Sequence, residues 1–98
     1  MSSIEVAKEI LSKEGYGSSD EFARDGVLVL ALSRLEQYRG EIEYLEKKNG
    51  MSFKEFESSV HAHTGREDFA KEADIEDWEF ALNALKWWKG KIKELKHA

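Results

Sequence analysis

The sequence predicts an all-α domain in which two long helices form an antiparallel hairpin and two short helices pack on it. Three observations point there. The 98 residues contain no proline, 36% are charged and 41% are hydrophobic, which favours long solvated helices over a turn-rich β protein or a disordered chain. Two separate stretches repeat apolar residues in alternating steps of three and four. Between them, NGMSFKEFE at 49–57 places a helix stop directly before a helix start.

The first helix is expected over about 3–14. Ser2 or Ser3 can cap it, Ile4, Ala7, Ile10 and Leu11 recur at helical spacing, and Gly15 and Gly17 break it around Tyr16. Ser18 or Ser19, followed by Asp20 and Glu21, starts the longest helix, over about 19–48. Its stripe is Ala31, Leu35, Tyr38, Ile42 and Leu45, the seam of a helix lying along another. GVLVLAL at 26–32 is apolar enough to be a buried strand, yet the pattern beyond it stays in helical phase and no strand partner is evident. It is therefore expected to be helical and buried on several sides, against the first and last helices.

Asn49 and Gly50 can take the left-handed conformation that ends a helix. Ser52 then caps a third helix over about 53–63, with Glu55 reaching back to the Ser52 amide and Met51 stapled to Phe56. Phe53, Phe56 and Val60 form its apolar face. Asp74 offers a cap for the last helix, over about 75–96, whose stripe is Trp78, Ala81, Leu85, Trp88, Ile92 and Leu95. Residues 1–98 thus form one helical domain, and a chain this short buries only about two-thirds of its unfolded surface.

The last helix has more apolar surface than one seam needs. At about 100° per residue, Phe80 and Trp87 nearly eclipse each other and lie well over 100° from the Trp78, Leu85 and Ile92 stripe, with Ala84 between. Either two helices of the same chain cover both surfaces, or part of the Phe80, Ala84 and Trp87 surface meets another chain. Phe69, Trp78, Phe80 and Trp87 are the expected aromatic anchors, with Asp68, Asp74 and Asp77 as orienting charges for a basic partner.

Chemistry is harder to find. His61 and His63 lie two apart, so on a helix they point about 200° away from each other and cannot share one ion without unwinding. Glu57 and His61 share a face but lack a third ligand. No nucleophile elbow, phosphate-cradling loop or cysteine is present, so neither enzyme activity nor a cofactor is expected. The acids over 67–77 suit a helix start, and Lys86, Lys89, Lys91, Lys93 and Lys96 suit a helix end. A net charge of −5 argues against nucleic acid and favours a basic protein. No apolar run is long enough for a signal peptide or membrane span, so a cytoplasmic protein is expected.

A long helix ending in LEKKNGMSFKEFE, then an acid-rich passage leading to DWEFALNAL, resembles small helical antitoxins of prokaryotic type II toxin-antitoxin pairs. Glu46, Lys48, Gly50, Met51, Ser52, Glu55 and Phe56 match the first part of that pattern, and Trp78 and Glu79 the second, within a resemblance spanning Val27 to Leu95. Asn49 stands where the family pattern has Tyr, and HAHTGRED replaces a more acidic passage. The resemblance implies a non-enzymatic protein that binds a small cognate toxin and occludes its active surface. No ribbon-helix-helix or helix-turn-helix pattern is visible. A self-associating homodimer is the alternative, and a metal-dependent enzyme using His61 and His63 a third.

Overall fold

A computed structural model describes residues 2–62 and 69–97. These form four helices, α1 (Ser3–Lys13), α2 (Ser19–Asn49), α3 (Phe53–Ala62) and α4 (Phe69–His97), and no strand is present among the described residues. The all-α class follows.

Local chemistry sets the boundaries. Ser2 Oγ accepts the Glu5 amide at 3.2 Å and Ser18 Oγ accepts the Glu21 amide at 3.1 Å, so each serine satisfies an amide that the first helical turn leaves unpaired. Glu21 adds a bond from the Gly17 amide to its carboxylate, at 3.0 Å. Gly50 sits at φ 66°, and its amide closes α2 on the Glu46 carbonyl at 2.7 Å. Ser52 Oγ accepts the Glu55 amide at 3.3 Å. The expected reciprocal bond differs in detail: the Glu55 carboxylate accepts from the Ser52 hydroxyl at 3.1 Å rather than from the Ser52 amide.

Asp74 is not the cap of α4. The helix already begins at Phe69, and Asp74 lies within it, where its carboxylate takes the Lys48 ammonium at 3.0 Å. A helix-compatible run of Phe69, Ala70, Lys71, Glu72 and Ala73 extends α4 upstream. The cross-helix cation explains why an aspartate stands inside a helix.

The core gathers at the corner. Ile42 and Leu45 of α2, Phe56 of α3, and Trp78 and Ala81 of α4 are buried together, with Tyr38, Met51, Phe53, Val60, Ile75, Leu82 and Leu85 packed around them. The Trp78 ring lies 5.6 Å from Phe53 and 5.8 Å from Phe56, centroid to centroid. Contacts between α2 and α4 pair early residues of one with late residues of the other. Lys48 meets Asp74, the Tyr38 ring lies 5.9 Å from Phe80, and Arg24 donates to the Leu95 carbonyl at 3.3 Å. Every position of both predicted stripes is buried or half-buried.

The GVLVLAL segment is helical but is not enclosed. Ala31 is buried and Leu28 half-buried, whereas Val27, Val29, Leu30 and Leu32 are all exposed. The reason is geometric: α4 covers one side of α2, and no residue of α1 is buried. The molecule measures 65 × 30 × 19 Å, with a radius of gyration of 20.5 Å against about 13 Å for a compact chain of this length.

Truncating Trp78 to alanine should therefore cost about 3–5 kcal/mol, the range for an enclosed aromatic. Urea unfolding followed by circular dichroism measures the loss, and a change below about 1 kcal/mol would mean that this corner is not what holds the helices together.

Candidate functional site

Phe80 and Trp87 of α4 stay outside the core. Phe80 is 63% exposed and Trp87 is 55% exposed, and their seven-residue spacing puts them nearly in line along one face. Ala84, between them, is half-buried. Trp78 behaves differently from the expected anchor. At 1% exposure it is an interior residue, because Phe53, Phe56 and the α2 stripe close over it. Phe69 opens α4 and is exposed, and Asp68 lies outside the described residues.

Around Phe80 the helices leave a cleft of about 530 Å3, bounded by Tyr44, Glu41 and Lys48 from α2 and by Asp74, Asp77 and Phe80 from α4. Tyr44, 63% exposed, had not been expected here. Its signal was available in the sequence, since it is an aromatic placed off the Tyr38, Ile42 and Leu45 seam. Asp74 is spoken for: its side chain is only 14% exposed, and it accepts from both Lys48 and the Asn49 amide nitrogen, the latter at 3.4 Å. Asp77 is exposed beside it.

This bridge sets the local charge. The Asp74 carboxylate, hydrogen-bonded to the Lys48 ammonium, raises the lysine above its ordinary value near 10.5, and partial desolvation opposes that rise. Three carboxylates thus face one ammonium, and the cleft is negative on balance.

About two helical turns along α4 lies a groove of different character, about 410 Å3, lined by Val27, Leu30 and Ala31 of α2 and by Trp87, Trp88 and Leu95 of α4. The two indoles meet edge to face at 4.8 Å, and Lys91 lies over the Trp87 ring at 5.6 Å. This groove is almost wholly apolar. Its α2 wall was missed because GVLVLAL was expected to be buried.

The whole surface is large for a chain of this length, as its elongated shape requires. The chain exposes 7719 Å2, whereas the scaling for compact monomers gives about 5,700 Å2 at 11.3 kDa. The excess, about 2,000 Å2, is the order of area that stable protein interfaces remove from solvent.

His61 lies exposed in the last turn of α3, and His63 lies outside the described residues. Among the described residues, no three His, Asp or Glu side chains are grouped to hold a metal. No described helix is long and apolar enough to cross a membrane. No family model, curated protein or solved structure matches this chain.

The bridge has a pH signature. Because the Lys48 value is raised in the folded state, its contribution to stability is complete below about pH 10.5 and is lost as pH rises through the raised value. Asp74→Asn should remove that extra alkaline loss and return the Lys48 titration toward the ordinary lysine value. Carbon-detected NMR of the lysine side chains reads the shift, and a Lys48 titration unaffected by the substitution would exclude the bridge.

Proposed function

We propose that this chain is a non-enzymatic, antitoxin-like interaction module that binds a small basic protein and neutralises it by covering its active surface. In this reading α2 and α4 form an antiparallel hairpin, α3 braces its corner, and α1 is an appended arm. The proposal locates the pair in the cytoplasm.

The observation that supports it most is the uncovered Phe80 and Trp87 face together with about 2,000 Å2 of surplus surface. Exposed aromatics on a rigid helix suit them to anchor an interface, since they bring large area at little conformational cost. The net charge of −5 and the negative cleft beside Phe80 favour a basic partner and help it to orient during approach. The family resemblance supplies the kind of partner. It rests on GMSFKEFE and DWEFALNAL, the segments that build the corner beneath this face.

Co-expression with a small basic protein encoded in an adjacent reading frame should yield a complex that survives purification. Replacing Phe80 and Trp87 together by alanine should weaken it by at least about thirtyfold, equivalent to about 2 kcal/mol, while leaving the helical circular dichroism intact. A double variant that binds as tightly as the parent would refute the reading.

One observation favours a second reading, a homodimer. The groove between Val27, Leu30, Trp87 and Leu95 is almost wholly apolar, and the two charged residues that line it, Lys91 and Glu94, pair with each other at 2.9 Å, so it carries no net charge to oppose a second copy. If so, light scattering gives twice the monomer mass for the chain alone, and Leu30→Glu restores the monomer mass. A parent chain that is monomeric at micromolar concentration rules the homodimer out.

A further inference from the structure

The cleft at the α2–α4 corner has the components of a receptor for a cation. Tyr44 and Phe80 line it as two exposed rings, and Tyr38 holds the Phe80 ring from one side. Glu41 and Asp77 supply carboxylates, both exposed. Lys48, the cation among the described lining residues, is hydrogen-bonded to Asp74 and feels Asp77 through charge alone, while Glu41 accepts from the Gln37 side-chain amide at 3.4 Å, a neutral donor. We propose that this cleft receives an arginine side chain of a protein partner, the guanidinium stacking on Tyr44 and Phe80 and donating to Asp77 and Glu41.

Charge complementarity identifies the occupant. With the Lys48–Asp74 pair internally neutral, two further carboxylates leave the cleft with an excess of negative charge, which favours a cation as occupant. The aromatic walls then distinguish among cations. A guanidinium is planar, weakly hydrated and able to stack and donate at once, whereas an ammonium is compact and holds its water more tightly. The chain already uses a related contact elsewhere. At the apolar groove its own Lys91 lies over Trp87, so that ring has a cation from the same helix. The rings of the corner cleft are offered to a cation from outside. The raised titration of Lys48 agrees with a negative field at this place.

The inference rests on the reading of the chain as a binder of a basic protein and adds the chemistry of one contact. It is tested with a short arginine-containing peptide, the same peptide with lysine, and the same peptide with citrulline, each titrated into the full chain by NMR. The arginine peptide should give saturable shifts at Tyr44, Asp77 and Phe80. The lysine peptide should bind several-fold more weakly and the citrulline peptide not at all. The exposed double substitution Glu41→Gln, Asp77→Asn should reduce arginine-peptide affinity at least fivefold with an unchanged fold spectrum.

No saturable shift in the cleft, shifts centred elsewhere, or equal binding by citrulline would each overturn the proposal. A co-purified basic partner whose affinity ignores the double substitution would reject the arginine contact and leave the broader function standing. Arginine seated in the cleft of a chain that captures no basic protein would reject the broader function alone.

Discussion

The enclosure of Trp78 is the constraint on which the other features depend. Its indole is closed in by Phe53 and Phe56 from α3 and packs in one cluster with Ile42 and Leu45 of α2. One side chain thereby fixes three helices. The cap sequence around Gly50 and Ser52 makes this possible, because it turns the chain within a few residues and brings α3 across the corner before α4 begins. Without that turn, Phe56 could not face Trp78.

A corner built this way also determines what stays open. Two helices side by side bury one stripe each, and the third helix here is only ten residues long. Beyond the corner, α2 and α4 meet on a single side, so Ala31 and Ile92 are buried while Val27, Leu30 and Trp87 remain in contact with water. Burying apolar surface is worth about 25 cal/mol per Å2, so a partner that covers this half gains a driving force that the chain itself leaves unused. The exposed face follows from helix number, and no local irregularity is needed to produce it.

Much of the fold was legible in the sequence because caps and heptad spacing are local or one-dimensional signals. Ser2, Ser18, Gly50 and Ser52 all stand at the boundaries that their chemistry implies. The start of α4 was misplaced because Asp74 has the chemistry of a cap, and only the approach of Lys48, twenty-six residues away, shows its other use. Burial was less legible than helicity. Apolar content at GVLVLAL suggested enclosure, but coverage depends on which other helix can reach, and no residue of α1 is itself buried. The same limit applies to Trp78 and Phe80, two residues apart and equally aromatic, of which one is interior and the other exposed. Tyr44 joins the site only through the pairing of α2 with α4.

The placement of charge relative to grease gives the surface a direction. Phe80 and Trp87 are seven residues apart on α4, about 10 Å along its axis, so one partner helix laid along this face can reach both. At the Phe80 end the surroundings are negative, and at the Trp87 end they are apolar, with Lys91 over the ring. A basic group meets an excess of carboxylates at the Phe80 end, whereas at the Trp87 end Lys91 is already paired with Glu94 at 2.9 Å and no excess negative charge lines the groove. Desolvated aromatic contact supplies affinity in either direction, but only one direction satisfies both ends. On the proposed reading, selectivity for orientation would arise from a few residues placed two turns apart on α4, above the corner that packs the helices together.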